Sequence, residues 1–459
     1  MFGVFELLCV QQKHTPHKTA IVHEHKRVSY QELYQRVNRL AYGLQEIGVK
    51  KGSRFGFLFY NGLQFVELFY ALLKLGAIAI PFNFRLRPTE IQELILNVDC
   101  EFFAYTDAFG ELVKEIKKKL TTRGIIYVSE LSEHNFESNT LEALADNPMN
   151  EWDTTEKAQP DEDALLIFTG GTTGFPKAAV HTHRGLFFQV ISCVLVKDMC
   201  NSEDVFLNYT PFFHVGGLGL LMMCLGVGGT FVIMSNFDPI VILDTIRQEK
   251  VTQMALIPPN ICNAFEQIEG FLPEDVSSVR LIHMSGGINT PELGKKIFKL
   301  FPNAVIRNGY GMSERAALIC IFITKEQFEK KPALLEAVGK PTVFTDIKLL
   351  DDNGTETDCG ELWAKNAGMM KGYYGHDNSF VDGWFATGDI MRRDHDGNYY
   401  FLDRKKDMIK SGGENIYSIE VEHAIMQHPA VEICAVLVCQ TNYMARQWLP
   451  LLNCDRIKR

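Results

Sequence analysis

The sequence lacks the features of several protein classes. Its eleven cysteines include no Cys-x-x-Cys pair, and this odd, scattered set is typical of free thiols rather than of a disulfide framework. No long basic stripe offsets the formal net charge of −10, which argues against nucleic acid as the main partner. The first residues contain neither a basic region nor a long apolar one, so no secretory signal is predicted. We therefore expect a reducing, cytoplasmic location.

A membrane span is not predicted either, although one uncharged stretch, residues 215–234, is long enough to raise the question. This stretch holds six glycines and ends in the strand-like segment TFVIM. Its pattern favours a buried helix followed by a buried strand.

The chain is predicted to be globular and to alternate strands with helices. It has 459 residues, of which 46% are hydrophobic and 22% charged, and this length is typical of more than one domain. Ser29 and Glu32 have the spacing of a capping box before a helix that runs towards Ile47. The run AIAIPF after residue 76 is typical of a buried parallel strand.

The middle third carries the clearest alternation of strands and helices. Short apolar strands are predicted at residues 164–168, 178–181, 230–234, 254–257 and 280–284. Three polar segments that contain glycine follow strands of this region: the loop after Phe168, residues 285–287 and residues 308–314. Because ligands of such sheets gather beyond the carboxyl ends of the strands, the three segments predict one nucleotide site.

After Val338 the pattern changes to short strands with tight turns. A charged turn at residues 403–406 then leads to a new amphipathic helix. We predict two domains, residues 1–402 and residues 403–459.

The segment FTGGTTGFPK, residues 168–177, is predicted to hold phosphates. Its glycines can turn backbone N–H groups towards an anion, its threonines add hydroxyl donors, and Lys177 adds a positive charge. These residues are Thr169, Gly170, Gly171, Thr172, Thr173, Gly174 and Lys177. A strand rather than a helix is predicted after the lysine, so this is not the common phosphate-binding loop.

With four further motifs in the same order, this loop resembles the adenylate-forming acyl-CoA synthetases. The motifs are PFFHVGGLG from Pro211, NGYGMSE from Asn308, GWFATGD from Gly383 and DRKKDMIKSGGENI from Asp403. The resemblance implies an α/β fold, with a large N-terminal domain of layered β/α sheets and a small β-barrel. A small α+β C-terminal lid, incomplete in this chain, would follow it.

The resemblance also implies roles for individual residues. Nucleotide-binding roles fall on the loop residues 169–174 and Lys177, and on Gly286, Gly287, Asn308, Gly309, Tyr310, Gly311, Ser313, Asp389 and Arg404. Glu314 and Thr172 would be the Mg²⁺ ligands, since carboxylate and hydroxyl oxygens suit that ion. Lys177, Glu314 and Lys410 would take part in catalysis, and Lys406 would be the hinge of the lid.

His214, inside PFFHVGGLG, would line the acyl pocket; a packed core histidine is the alternative. The amino-acid-activating branch of the family carries an aspartate near this segment, and its absence here argues against an amino-acid substrate. His181, Thr182 and His183 could suggest a metal pair, but no third ligand is near in sequence, so a local structural role is favoured.

The implied reaction converts a carboxylate, ATP and coenzyme A into a thioester through an acyl-adenylate. A fatty or other hydrophobic or aryl acid is favoured by the apolar surroundings of His214, while the oligomeric state is left open, a homodimer included. Transfer of the acyl group to a carrier protein is one alternative, and an impaired ATP-binding remnant is another.

The remnant alternative rests on the lid. Only 53 residues follow Lys406, where the family has roughly a hundred, a normal size for a small domain. No late Gly-Lys motif matches the family, and Lys458 lacks its context. The hypothesis is that the chain binds ATP but adenylates carboxylates poorly.

Overall fold

The computed structural model describes residues 3–120, 124–130, 139–154, 156–170, 176–256, 260–287, 289–376, 379–411, 414–426, 431, 433–439 and 447–453.

The helices among these residues are α1 Val4–His14, α2 Tyr30–Glu46, α3 Leu63–Leu75, α4 Pro88–Asn97, α5 Gly110–Leu120, α6 Leu141–Ala145, α7 His183–Val194, α8 Val215–Val227, α9 Pro239–Glu249, α10 Asn260–Glu266, α11 Pro291–Leu300, α12 Lys325–Lys330 and α13 Ser418–Met426. Short 3₁₀ turns lie at Asp107–Phe109, Pro273–Val276 and Pro332–Glu336.

The strands are β1 Thr19–His23, β2 Lys26–Ser29, β3 Arg54–Leu58, β4 Ile78–Pro81, β5 Phe102–Tyr105, β6 Ile126–Ser129, β7 Asp163–Phe168, β8 Ala178–Thr182, β9 Val205–Asn208, β10 Thr230–Ile233, β11 Gln253–Leu256, β12 Leu281–Met284, β13 Val305–Met312, β14 Arg315–Ile323, β15 Lys340–Pro341, β16 Thr345–Leu350, β17 Cys359–Asn366, β18 Gly372–Tyr373, β19 Phe385–Arg393, β20 Tyr399–Arg404, β21 Ile409–Ser411, β22 Glu414–Ile416, β23 Ile433–Cys439 and β24 Gln447–Asn453.

The chain divides into two compact units. The first comprises Met1–Glu336, Thr342–Phe344 and Asn366–Ser379, and the second comprises Ala337–Pro341, Thr345–Lys365 and Phe380–Arg459. The second unit begins close to Val338, where the sequence pattern changes. The predicted domain boundary between residues 402 and 403 stays a prediction.

Two sheets form the framework of the first unit. In one, strands follow the order β14-β13-β12-β11-β9-β10-β1-β2, and the pairs from β13 through β1 are parallel, with antiparallel strands at both ends. The other has the order β18-β8-β7-β4-β3-β5-β6, and β4, β3, β5 and β6 run parallel. Helices separate and cover the sheets, which is the layered α/β class predicted from the sequence.

Local signals in the sequence explain where helices begin. The Ser29 side chain accepts a hydrogen bond from the Glu32 backbone, and the Glu32 carboxylate accepts one from Ser29 N, so the predicted capping box is confirmed at the start of α2. Asp238 caps α9, with Pro239 at its first position. The stretch at residues 215–234 forms α8 and then β10, as predicted. In the described part of the chain, no helix is long and apolar enough to cross a membrane.

The second unit contains a sheet with the order β16-β17-β19-β20 and two strand pairs, β21 with β22 and β23 with β24. The β17–β19 and β19–β20 pairs are antiparallel. Every sheet among the described residues is open, so the small barrel implied by the resemblance is not seen among them.

Candidate active site

The predicted phosphate loop joins two antiparallel strands. β7 ends at Phe168 and β8 begins at Ala178, so a strand follows the loop, as predicted. At the base of the loop Thr169 N donates to Lys177 O at 2.8 Å, and Lys177 N donates to Thr169 Oγ1 at 3.3 Å. Gly170 has open space where a side chain would stand. The predicted contacts of Gly171, Thr172, Thr173 and Gly174 lie outside the described residues.

A tyrosine connects this loop to Glu314. The Tyr373 hydroxyl donates a hydrogen bond to Glu314 Oε1, and the Lys177 ammonium lies 5.0 Å from the centre of the Tyr373 ring. Glu314 is buried and Lys177 is exposed. The buried setting and the charge of Glu314 raise the pKa of Tyr373, so the hydroxyl remains a proton donor at neutral pH.

Glu314 has the character of a ligand for a cation. Within the described residues, no lysine, arginine or histidine side chain forms an ion pair with this buried carboxylate. A buried charge without a partner is costly, whereas Mg²⁺ is often held by one or two carboxylates together with substrate phosphates. The described residues contain no cluster of three or more candidate metal ligands.

A buried histidine fixes the backbone beside Glu314. Gln189 Nε2 lies 3.0 Å from His181 Nδ1 and can only donate to it, so His181 Nε2–H donates to the Ser313 carbonyl at 2.8 Å. Burial is the main reason why the pKa of His181 is lowered to about 4, which keeps the ring neutral. Thr182 caps α7. These contacts agree with the structural role favoured for the segment.

The ends of β12 and β13 bring two predicted segments together. Met284 pairs with Asn308 in parallel register, so Gly286 and Gly287, which follow β12, lie beside the segment of Gly309, Tyr310 and Gly311. Both Gly286 and Gly287 are exposed with open space around them. The convergence predicted for residues 285–287 and 308–314 is therefore confirmed.

Within this segment, two residues also serve the fold. The Asn308 amide is buried, accepting from Asn289 Nδ2 at 2.7 Å and donating to Leu335 O at 3.0 Å. A Cβ at Gly311 would lie 2.5 Å from Ala317 N, so the neighbouring strand itself requires glycine there. Tyr310 is partly exposed and remains the aromatic candidate for contact with adenine.

His214 occupies the N-cap of α8 and is exposed. Its ring lies 4.4 Å from the Phe213 ring, which in turn lies 5.1 Å from Phe84. Surrounding protein atoms lower the pKa of His214, and the positive charge of Arg85 adds to this. The imidazole is thus neutral at pH 7 and faces an aromatic environment.

The remaining predicted residues belong to the second unit. Asp389 pairs with Arg404 across β19 and β20, and Arg404 Nε lies 3.8 Å from Asp389 Oδ1. Asp389 is buried and Arg404 is exposed. Lys406 is exposed in the turn after β20, and Lys410 lies in β21, paired with Asn415. Gly412, Gly413 and Lys458 lie outside the described residues.

Two contacts of the site could not be read from the sequence: the hydrogen bond of Tyr373 to Glu314 and that of His181 to the Ser313 carbonyl. Tyr373 lies in the two-residue strand β18, which reaches the site only because it pairs with β8. The one signal in the sequence is its place in MKGYYG, two residues after a lysine, and this does not reveal its partner.

Comparisons with known proteins agree with this geometry. The family model described as "AMP-binding enzyme" matches residues 9–374. A feruloyl-CoA synthase from Amycolatopsis is 32% identical over 433 residues, covering 92% of this chain and 83% of the relative. A long-chain-fatty-acid–CoA ligase from Mycobacterium tuberculosis is 30% identical over 417 residues, covering 90% and 80%.

Solved structures give the same result. The o-succinylbenzoate–CoA synthetase of Bacillus subtilis, in complex with its acyl-adenylate intermediate, superposes with a TM-score of 0.85 at 26% identity, covering 99% of this chain and 89% of that one. The same enzyme with ATP and magnesium ion gives a TM-score of 0.83 at 26% identity, covering 98% and 90%.

Proposed function

The chain belongs to the AMP-binding enzyme family and is an AMP-forming acid–CoA ligase, and we propose that its substrate is a hydrophobic or aryl carboxylic acid. The aromatic surroundings of His214 support this choice, because the Phe213 and Phe84 rings offer an apolar wall. His214 is exposed and not packed in the core, and its neutral ring can therefore line a pocket for the acyl group.

The observation that carries the mechanism is the Lys177–Tyr373–Glu314 arrangement. In the first step a carboxylate oxygen attacks the α-phosphorus of ATP, the bond to pyrophosphate breaks, and an acyl-adenylate forms. Negative charge develops on phosphate oxygens, and catalysis of such a step rests on positioning and electrostatic stabilisation. We assign this task to the Lys177 ammonium and to the backbone amides of its loop.

Glu314 is the proposed ligand of Mg²⁺, which would supply positive charge for the phosphates when it is bound. Tyr373 fixes one oxygen of that carboxylate through its hydroxyl and supports Lys177 through its ring. Two groups of opposite charge are thereby positioned by a single side chain.

In the second step the sulfur of coenzyme A attacks the acyl carbon, and AMP leaves with the oxygen it received from the acid. Asp389 and Arg404 are proposed to bind the ribose and phosphate, since a buried carboxylate can accept two ribose hydroxyls. Lys406 is proposed as the hinge and Lys410 as a residue of the thioester-forming step. We also propose a cytoplasmic location, because nine cysteines in the described part of the chain are free thiols.

The test is acid-dependent exchange of labelled pyrophosphate into ATP, measured over a panel of fatty and aryl acids. The first step predicts exchange only when an acid is present, and addition of coenzyme A should yield AMP and thioester in equal amounts. Glu314→Gln keeps the shape of the side chain and should abolish exchange. Exchange without any acid, or activity retained by Glu314→Gln, would contradict the proposal.

A further inference from the structure

A buried arginine lies close to the candidate site without a carboxylate partner. Arg307 belongs to β13, three residues before Tyr310, and is 6% exposed. No aspartate or glutamate among the described residues forms an ion pair with it, and its Nε has no hydrogen-bond partner. Its neighbours are the Cys320 thiol and a second guanidinium, Arg315. The first is neutral and the second repels it, so a buried positive charge is left uncompensated.

A histidine on the neighbouring strand does not supply the missing negative charge either. His283 on β12 pairs in register with Arg307. Gln253 Nε2 donates to Met199 O and Asp204 Oδ2, so Gln253 Oε1 accepts from His283 Nε2 at 2.8 Å. His283 Nδ1 therefore carries a lone pair, and it too has no partner. Burial lowers the pKa of His283, so its ring is neutral and brings no charge to balance Arg307.

The strand register shows which face of the sheet Arg307 occupies. Arg307 pairs with Phe322, and Gly309 pairs with Cys320, so these residues share one face. Phe322 packs against the hydrophobic core that includes residues of α7 and α8. Arg307 therefore lies on the face that is covered by these helices, and α8 begins at His214.

This interface is not fully closed. Gly219 and Leu220 of α8 and Ala316 and Cys320 of β14 are each partly exposed, although they belong to elements that pack together. A Cβ on Gly219 would lie 3.7 Å from Ala316 Cβ, which shows how closely α8 approaches β14. On β13, the Arg307 guanidinium lies over Gly309, where a Cβ would be only 2.9 Å from Arg307 Cζ. The absence of a side chain at Gly309 lets the guanidinium fold along the strand towards Tyr310.

From this arrangement we infer that the acid substrate carries a second carboxylate, at the end opposite the reacting one, and that Arg307 binds it. The inference rests on the proposed function, in which the acyl group lies beside His214 at the start of α8. It extends that pocket between α8 and the β13–β14 pair. The ionic partner that the protein does not supply would come from the substrate, through charge-assisted hydrogen bonds to the guanidinium.

The test uses two non-hydrolysable acyl-sulfamoyl-adenosines built on octanedioic acid. One keeps the distal carboxylate and the other has a carboxamide of nearly the same shape. Calorimetry with the full chain measures both dissociation constants without requiring turnover. The carboxylate analogue should bind at least about tenfold more tightly, as expected for a hydrogen bond between charged partners.

Variants separate the effect of Arg307 from a general loss of structure. Arg307→Met should bring the two dissociation constants together, while Arg307→Lys should keep part of the preference. Arg247→Met, which removes a partly exposed arginine of α9, should change neither. If the unmodified protein binds both analogues equally, the inference is wrong although the proposed function stands, and this comparison remains decisive if Arg307→Met does not fold. If neither analogue binds, the proposed function fails, and the inference with it.

Discussion

Replacement of Tyr373 by phenylalanine tests the positioning of Glu314. The variant removes one hydroxyl and keeps the ring beneath the Lys177 ammonium. A hydrogen bond to a charged group contributes about 1.5–3 kcal/mol, which corresponds to roughly a tenfold to hundredfold change in rate if the bond acts in the transition state. We expect kcat for pyrophosphate exchange to fall by this factor and the Mg²⁺ concentration for half-maximal rate to rise.

Tyr374→Phe is the matched control for this variant. The Tyr374 hydroxyl donates to Asp99 Oδ2 at 3.3 Å, so the control also removes a hydroxyl and a hydrogen bond, but away from Glu314. Tyr373→Leu removes the ring as well and should lose a further factor of about 2–5, since a cation–π contact at an exposed site is worth about 0.5–1 kcal/mol. If Tyr373→Phe stays within about twofold of the unmodified enzyme, or if both phenylalanine variants lose the same factor, Tyr373 does not position Glu314 for catalysis.

His181, Gly217 and Lys177 each depend on a local setting that a single substitution can test. The pKa of His181 is about 6.5 in the unfolded chain and about 4 in the folded protein, so the folded protein loses about 2–3 kcal/mol of stability through this residue as pH falls from 7.5 to 4.5. Urea unfolding of His181→Gln at the two pH values should show a loss of stability that is smaller by that amount. An equal loss in the variant and the unmodified protein would contradict the assignment. Gly217→Ala would place a Cβ 2.6 Å from a backbone oxygen and should lower the free energy of unfolding by about 1–3 kcal/mol; Gly216→Ala, with open space around it, is the control, and equal losses would refute the steric argument. Lys177→Met should lower kcat at least about tenfold with little change in Tm, because the side chain is exposed; a parallel loss of Tm would point to a structural role.

Much of the fold could be predicted because local chemistry fixes it. The Ser29–Glu32 capping box sets the start of α2 through two hydrogen bonds within one turn. The strand–loop–strand pattern around Lys177 depends on neighbouring residues alone. The approach of residues 285–287 to residues 308–314 follows from a general rule about the ends of parallel strands.

The rest depends on contacts between residues far apart in sequence. Tyr373 reaches Glu314 because β18 pairs with β8, and a strand of two residues leaves no periodic signal. Arg307 would be expected on the surface, since arginine is rarely buried without a partner. Its burial becomes evident only when the register of β12, β13 and β14 is known.

In the proposed reaction the acid is activated by forming a bond to the α-phosphate of ATP. The most direct measurement uses an acid labelled with ¹⁸O in its carboxylate, supplied with ATP, Mg²⁺ and coenzyme A, followed by mass spectrometry of the products. Formation and cleavage of an acyl-adenylate predict AMP that carries one ¹⁸O atom for each thioester made. Unlabelled AMP, or the appearance of ADP and labelled phosphate in its place, would contradict the claim.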